Sequence, residues 1–213
     1  MNNHSIAIID YGRGNLHSVY YGLKKIGADP IITNDEKTIL EAPRVILPGV
    51  GAFGDCMDHL AASGLEDAIF RIVEKGTPFL GICVGLQLLF EGSEETPGVK
   101  GLGIFKGRVR LIRTPYKIPH MGWNELTITR PSPLLKDAKG KMVYFVHSFA
   151  ADPCDRNIIT ATTDYGTELV AAVGRGNVQG FQFHPEKSSA AGLAMLKAFK
   201  AVSYTHLRAH ETP

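Results

Sequence analysis

A cysteine between two glycines stands where an apolar strand pattern gives way to a helical one. The apolar run at residues 79–82 stops at Cys83, and apolar residues at helical spacing follow directly. With Gly81 and Gly85 on either side, the segment has the form of a nucleophile elbow, a sharp strand-to-helix turn that exposes a nucleophile. Small neighbours let the strand and helix approach, and the turn strains the backbone of the nucleophile. This pattern makes Cys83 a candidate nucleophile.

The chemistry of Cys83 depends on what surrounds it. At a helix N-terminus, free amides and a partial positive charge favour a thiolate over a thiol. However, Gly-x-Cys-x-Gly also occurs by chance, and buried cysteines are usually inert. A nucleophilic role therefore requires a base and an orienting group elsewhere in the chain.

A candidate base follows the strand pattern at residues 178–183, where the chain reads His184-Pro185-Glu186. In an extended chain, residues i and i+2 point to the same side, and Pro185 biases His184 towards extended geometry. Glu186 can then hydrogen-bond one ring nitrogen of His184 and leave the other for a thiol, as in a Cys-His-carboxylate triad. The alternative is a strand end with a surface carboxylate.

Two glycine-rich loops offer backbone amides. In the loop at residues 48–54, PGVGAFG, the glycines let the backbone approach a substrate and stabilise a developing oxyanion. The segment does not match a phosphate-binding loop, because the Gly-Lys-Ser/Thr that completes this motif does not follow. Residues 12–15, GRGN, form half of a dinucleotide fingerprint, but His17 stands where its third glycine belongs. A dinucleotide site is thus the weaker alternative.

The elements that position these residues follow from hydrophobic periodicity. In the first half, strand patterns at residues 5–9, 28–33, 44–47 and 79–82 alternate with helix patterns at 16–26, 35–41, 55–62 and 65–75. Short strand patterns follow at 106–112, 125–129, 142–146, 158–163, 168–174 and 178–183, and a last helix at 188–200. This order predicts an α/β fold: an open, mostly parallel sheet with helices on both faces and an antiparallel or mixed extension. Ligands of such sheets bind at the carboxyl ends of the strands, where residues 10–15, 48–54 and Cys83 converge.

Composition excludes several classes of protein. A net charge of +2 gives no reason to expect nucleic acid or a membrane surface as a partner, and no apolar run is long enough to span a bilayer. Three separated cysteines without a CxxC pair argue against disulfides and zinc, and favour a reducing, cytoplasmic location. The remaining histidines lack ligand spacing, so we expect no metal site. We also expect no cofactor.

We expect one domain over residues 1–201 and a non-native tail over residues 202–213. The segment VSYTHLRAHET breaks the preceding helical pattern, has no hydrophobic period, and can be back-translated as a transposon-based sequencing adapter read in frame. We exclude it from the reasoning on fold and function.

Five segments, taken together, resemble a known family. In chain order they are LPGVGAFG, GICVGLQLLFEGSEE, PHMGWN, YFVHSF and GFQFHPEKS, and the resemblance covers nearly all of residues 6–200. The chain resembles class I (triad) glutamine amidotransferases, which have a flavodoxin-like sheet. It is most similar to the branch that passes ammonia to a (β/α)8-barrel cyclase making imidazole glycerol phosphate and AICAR in histidine biosynthesis.

The resemblance implies a role for each matching residue. Cys83 would attack the side-chain amide of L-glutamine to form a thioester, with His184 as the base and Glu186 orienting it. An oxyanion hole would use the Val84 amide together with Val50 and Gly51. The substrate would be held by residues in four further segments: Gly49, Gln87, Glu95 and the stretch His147, Ser148 and Phe149.

The resemblance also implies a heterodimer with the barrel cyclase. The positions that would face this partner are Asn15, Trp123, Tyr144 and Lys187, although a buried core role explains Trp123 equally well. The amides of the PGVG segment would be misdirected in the isolated subunit and turned correctly with ligand on the partner. The alternatives are a glutaminase subunit of another biosynthetic enzyme, a non-catalytic binding subunit, and a general cysteine hydrolase.

Overall fold

The computed structural model describes residues 4–202. The strands are β1 (Ser5–Ile9), β2 (Asp29–Thr33), β3 (Val45–Gly49), β4 (Phe79–Cys83), β5 (Gly107–Leu111), β6 (His120–Glu125), β7 (Thr127–Ile128), β8 (Met142–His147), β9 (Phe149–Pro153), β10 (Ile159–Asp164), β11 (Glu168–Arg175) and β12 (Val178–Phe181). The α-helices are α1 (Leu16–Lys25), α2 (Glu36–Glu41), α3 (Phe53–Ser63), α4 (Glu66–Glu74), α5 (Val84–Gln87) and α6 (Ser189–Ala201). Short 3-10 turns lie at Arg156–Ile158 and Pro185–Lys187.

The central sheet contains eight strands in the order β2-β1-β3-β4-β12-β11-β10-β7. The first five of these run parallel to one another, and the last three continue the sheet in antiparallel fashion. The predicted fold class is thereby confirmed. Two small antiparallel pairs, β5 with β9 and β6 with β8, lie outside this sheet.

Burial explains why the parallel strands form where they do. Every residue of β1, β3 and β4 is buried, which is the pattern of strands covered by helices on both faces.

Helix α2 begins where the Asp35 carboxylate accepts a hydrogen bond from the Thr38 amide, and α3 ends at Gly64 in the left-handed conformation. One hydrophobic cluster extends from Ile6 in β1 to Val202.

The prediction of a helix after Cys83 was correct only for its first turn. Helix α5 contains four residues, and the chain then turns although its apolar spacing suits a longer helix. The carbonyls of Leu88, Leu89 and Phe90 accept hydrogen bonds from amides within residues 102–105 instead of from the next helical turn. All three side chains are fully buried, so tertiary packing overrides the local pattern here.

Other differences concern short strands. The strand predicted over residues 125–129 is divided between β6 and β7, and β6 covers the PHMGWN segment, for which no strand was predicted. Strand β9 was missed as well. β6, β7 and β9 pair with β8, β10 and β5, and their short or polar segments carry little periodic signal.

Of the predicted tail, only Val202 belongs to the described residues, where its carbonyl accepts a hydrogen bond from Arg44. Residues 203–213 lie outside the described part, and the tail and the single domain stay predictions.

None of the helices within residues 4–202 has the length and apolar character needed to cross a bilayer. All three cysteines carry free thiols, and only Cys154 is exposed.

Candidate active site

The candidate site lies at the carboxyl edge of the parallel strands, as predicted. Cys83 ends β4 and pairs in register with Gly49 at the end of β3. Strand β12 is the other neighbour of β4, and its continuation carries His184. Three separate parts of the sequence therefore meet at one edge of the sheet.

The elbow at Cys83 has the strained backbone predicted for it. Cys83 adopts φ 56° and ψ −114°, a conformation rare for any residue with a side chain. A Cβ atom on Gly85 would lie 1.9 Å from the carbonyl oxygen of Leu47, and one on Gly81 would lie 2.7 Å from the carbonyl oxygen of Gly85. Both glycines are needed because two backbone segments pack directly against them.

The expected stabilisation of a thiolate by a helix N-terminus needs correction. Helix α5 is a single turn, so its aligned peptide dipoles are few and their field is small. A positive charge near Cys83 must come mainly from a side chain.

His184 and Glu186 form the orienting pair. The Nδ1 atom of His184 lies 2.9 Å from Oε1 of Glu186, and both side chains are buried. The backbone of His184 is fixed at both ends: its amide donates to the Tyr144 carbonyl, and its carbonyl accepts from the Ser188 hydroxyl. Among the described residues, His184 Nε2 has no hydrogen-bond partner, so this nitrogen is free to exchange a proton with a thiol or a substrate.

The electrostatics of His184 favour its protonated form. Burial alone would lower its pKa, but the neighbouring Cys83 sulfur and Glu186 carboxylate together raise the pKa of His184 to about 10. The ring can therefore take the thiol proton and hold it as an imidazolium. A thiolate–imidazolium pair is the reactive state of cysteine nucleophiles.

A cavity of about 310 Å³ opens beside these residues. Its wall contains most of the predicted site, namely Val50, Gly51, Cys83, Val84, Gln87, Glu95, His147, Ser148, Phe149 and His184, and also Pro119 and Val146. Gly49 is not part of the wall; it lies behind it, packed against the amide nitrogen of Gly85. The volume suits a ligand the size of an amino acid.

Gln87 and Glu95 are both held by hydrogen bonds. The side-chain amide of Gln87 donates to the Phe149 carbonyl at 3.0 Å and to Oε1 of Gln182 at 3.1 Å. Glu95 Oε2 accepts from the amide of Phe53 at 2.8 Å. This leaves the other Glu95 oxygen as a negative group in the cavity wall.

Gln182 is a neighbour of the site that the sequence reasoning missed. It is fully buried, and its Nε2 atom lies 3.9 Å from the Cys83 sulfur while its Oε1 atom accepts from Gln87. A signal was present, because residues two apart in an extended segment share a side, and Gln182 stands two before His184.

His147, in the cavity wall, forms a pair with His120. His147 Nδ1 is 2.8 Å from the Phe149 carbonyl oxygen, and His147 Nε2 is 2.9 Å from His120 Nδ1. Burial is the main cause that lowers the pKa of His147 to about 3; the charges of His120 and His184 act in the same direction, and the Phe149 carbonyl opposes them. His147 is therefore neutral at physiological pH, and it positions the chain rather than exchanging protons.

The four positions predicted to face a partner lie outside the cavity wall. Trp123 is 45% exposed, which excludes the alternative of a buried core role, and its ring contacts that of Tyr144 on the paired strand. Lys187 is exposed, whereas Asn15 and Tyr144 are half-buried.

A larger cavity of about 740 Å³ lies near the junction of β11 and β12 and the start of β10. Among the described residues, its wall holds Ser132, Lys136 and Thr160 but no cysteine or histidine, so it lacks the cysteine–histidine pair of the smaller cavity. Within residues 4–202, no three His, Cys, Asp or Glu side chains are grouped so that they could hold a metal ion.

Comparison with known proteins places this geometry in a family. The family model "Glutamine amidotransferase class-I" matches residues 7–201. Proteins named imidazole glycerol phosphate synthase subunit HisH are similar over nearly their whole length. That of Syntrophotalea carbinolica is 50% identical over 91% of this chain and 98% of its own, and that of Methanothermobacter thermautotrophicus is 48% identical over 91% and 96%.

Solved structures agree at the level of the fold. A glutamine amidotransferase crystal structure matches with a TM-score of 0.74 at 18% identity, covering 92% of this chain and 99% of its own. The PurLQS structure from Thermotoga maritima matches with a TM-score of 0.72 at 21% identity, covering 92% and 96%. The chain therefore belongs to the class-I glutamine amidotransferase family, and within it to the HisH subunits of imidazole glycerol phosphate synthase.

Proposed function

We propose that this chain hydrolyses L-glutamine to glutamate and ammonia, and passes the ammonia to a (β/α)8-barrel cyclase subunit in histidine biosynthesis. The observation that carries the proposal is a single cavity whose wall holds Cys83 and His184, with Glu186 bonded to the far side of the His184 ring. A nucleophile, a base and an orienting carboxylate are the parts that amide cleavage by a covalent route requires.

The first half of the reaction forms a thioester. His184 Nε2 takes the thiol proton, and the Cys83 sulfur attacks the side-chain carbonyl carbon of glutamine. The C–N bond then breaks, and His184 returns its proton to the leaving nitrogen, so that neutral ammonia departs. Negative charge builds on the carbonyl oxygen during the attack, where amides of Val50, Gly51 and Val84 at the cavity wall would stabilise it.

The second half restores the enzyme. A water molecule gives a proton to His184 as its oxygen attacks the thioester carbon; the C–S bond breaks, glutamate forms, and the proton returns to the Cys83 sulfur. Glu186 holds the ring through Nδ1 during both halves and stabilises each imidazolium that forms.

Opposite charges and hydrogen bonds would select glutamine. The free oxygen of Glu95 suits the substrate ammonium group, and Gln87 lies where it can face the substrate side chain. Backbone groups of His147, Ser148 and Phe149 would contact the amino-acid end. No lysine or arginine lines this cavity among the described residues, so backbone amides and the Ser148 hydroxyl are the donors left for the substrate carboxylate.

A partner explains the fate of the ammonia. Ammonia released into water at neutral pH is mostly protonated, and ammonium is not a nucleophile, so the product must enter a closed passage. The exposed side chains of Trp123 and Met121 on β6, beside Tyr144 on β8, would supply apolar anchors for the cyclase.

Replacement of Cys83 by alanine tests the proposal in the complex with the cyclase. With glutamine as the nitrogen donor, Cys83→Ala should reduce synthesis to background; with ammonium salts at high pH, synthesis should persist at the wild-type rate. Cys154→Ala, which removes an exposed thiol, is the matched control and should leave both rates unchanged. Loss of both activities in Cys83→Ala would instead indicate a structural role for this residue.

A further inference from the structure

Two buried side chains bind the PGVG loop, which contains the candidate oxyanion residues Val50 and Gly51. The Tyr11 hydroxyl donates to the carbonyl of Pro48 at 2.9 Å. The Cys56 thiol donates to the carbonyl of Val50 at 3.4 Å, a normal length for a sulfur donor. Alternate carbonyls of the PGVG segment are therefore bonded to side chains outside it.

Both donors keep their protons. Tyr11 and Cys56 are buried, and burial is the main reason that the pKa of each is raised above its ordinary value. A neutral hydroxyl and a neutral thiol each have one hydrogen to give, and a carbonyl oxygen can only accept. The direction of both hydrogen bonds is thus fixed.

The contact at Val50 determines the orientation of the next amide. In a trans peptide the carbonyl and the following N–H point in opposite directions. With the Val50 carbonyl turned to Cys56, the Gly51 N–H lies on the other side of the peptide plane. Val50 and Gly51 line the cavity, and Cys56 does not, so this arrangement keeps the carbonyl oxygen away from the cavity.

Among residues 4–202, no other hydrogen bond holds the Val50–Gly51 peptide. Gly51 has φ 102°, where a residue without a side chain moves freely, and Val50 is one-third exposed. Gly49, by contrast, is fixed by its packing against Gly85 and Tyr11. Rotation of the Val50–Gly51 peptide would direct a carbonyl oxygen towards the place where negative charge develops, and would repel it.

We propose that Tyr11 and Cys56 are positioning residues, which hold the carbonyls of Pro48 and Val50 so that, in the complex with the cyclase, amides of the oxyanion loop can face the reacting carbonyl of glutamine. The inference rests on the proposed glutaminase function. Neither side chain touches the substrate, and each acts through the carbonyl that it binds.

The experiment compares two reactions of Cys83 in the complex with the cyclase. Glutamine hydrolysis passes through an oxyanion, whereas alkylation of the Cys83 thiolate by iodoacetamide does not. Cys56→Ala and Tyr11→Phe should each lower kcat for glutamine roughly tenfold with KM little changed. The reason is that a misdirected amide loses a hydrogen bond to the oxyanion, which exists only in the transition state. The rate of Cys83 alkylation, followed by peptide mass spectrometry, should stay within about twofold of wild type.

A conservative variant separates positioning from packing. Cys56→Ser keeps a donor and should retain kcat within about threefold, whereas Cys56→Ala should not. Tyr21→Phe and Cys154→Ser, at exposed positions, are the matched controls and should behave as wild type. Thermal unfolding of each variant shows whether the fold is kept.

Three outcomes would overturn the inference: unchanged kcat in Cys56→Ala and Tyr11→Phe, equal losses in Cys56→Ser and Cys56→Ala, or a parallel fall in alkylation. If Cys56→Ala fails to fold, the result rests on Tyr11→Phe and Cys56→Ser. Failure of the proposed function has a different signature, since Cys83→Ala would then still hydrolyse glutamine.

Discussion

His184 and Glu186 face each other across one proline, with Nδ1 2.9 Å from Oε1 and side-chain exposures of 4% and 0%. A carboxylate removed from water in this way is costly unless it is paired. Oε2 of Glu186 has no partner among the described residues, so the bond to His184 is the main compensation. The pair therefore fixes the ring tautomer, with a proton on Nδ1 and Nε2 directed to the chemistry.

Replacing Glu186 by glutamine should lower kcat for glutamine roughly 10²- to 10³-fold, with a smaller effect on KM. Glu186 helps to raise the pKa of His184, so the variant should have a lower His184 pKa. The fall in kcat on the alkaline side of the pH–rate profile should therefore begin at a lower pH than in wild type. Steady-state glutamate release, measured from about pH 6 to about pH 10, reports both effects.

Glu74→Gln on the exposed end of α4 is the matched control for charge loss and should leave the profile unchanged. A Glu186→Gln enzyme with wild-type kcat would contradict the orienting role.

Glu95 should act mainly on substrate binding. One oxygen is held by the Phe53 amide, and the other is available to a substrate ammonium group. Glu95→Gln should therefore raise KM about 10- to 100-fold, the loss expected for one charge-assisted hydrogen bond, with a smaller change in kcat. The neighbouring Glu94→Gln, which removes a pair with Arg110 outside the cavity wall, is the control. Equal KM increases in both variants would exclude a specific role for Glu95.

His147 should make the fold sensitive to acid. Its pKa is lowered to about 3 in the fold, mainly by burial, while an unfolded histidine titrates near about 6.5. Between these values the unfolded chain binds a proton that the native chain does not, so stability falls as pH drops below about 6.5. The slope is at most about 1.4 kcal/mol per pH unit for this group.

Urea unfolding at several pH values between about 7 and 5 measures this slope. His147→Asn should flatten it, whereas the exposed His17→Asn should leave it as in wild type. An unchanged slope in His147→Asn would show that other groups cause the acid sensitivity.

Gly85 should tolerate no side chain. A Cβ atom there would lie 1.9 Å from the Leu47 carbonyl oxygen, which belongs to the sheet and cannot move without breaking β3. We expect Gly85→Ala to lower the free energy of unfolding by about 3 kcal/mol or more. Gly98→Ala meets nothing within 4 Å and should cost only about 1 kcal/mol for its left-handed φ. Similar losses in both, measured by urea unfolding, would contradict the close-packing argument.

Much of this fold could be predicted because its signals are local. The fully apolar strands β1, β3 and β4 and the glycines around Cys83 reflect constraints that each segment carries within itself. The edge where Cys83 and His184 meet follows from the rule that parallel strands end together.

What could not be predicted depends on contacts between distant segments. Helix α5 stops after one turn because amides within residues 102–105 bond to the carbonyls of the three residues that follow it, Leu88, Leu89 and Phe90, and no local pattern reports that. Likewise, Pro119 and Val146 reach the cavity, and Gln182 reaches the Cys83 sulfur, only through the packing of β6, β8 and the end of β12. Tyr11 and Cys56, which bind the PGVG loop, lie in a loop pattern and a helix pattern, and nothing in the sequence marks them as partners of that loop.

The most direct test of the account is to trap the acyl group on the nucleophile. The complex with the cyclase is mixed with glutamine, quenched in acid within milliseconds to seconds, and digested for peptide mass spectrometry. We predict a glutamyl adduct on the peptide that contains Cys83, and its absence in Cys83→Ala together with the loss of glutamate release. Glutamate release by the Cys83→Ala complex at the wild-type rate would contradict the account.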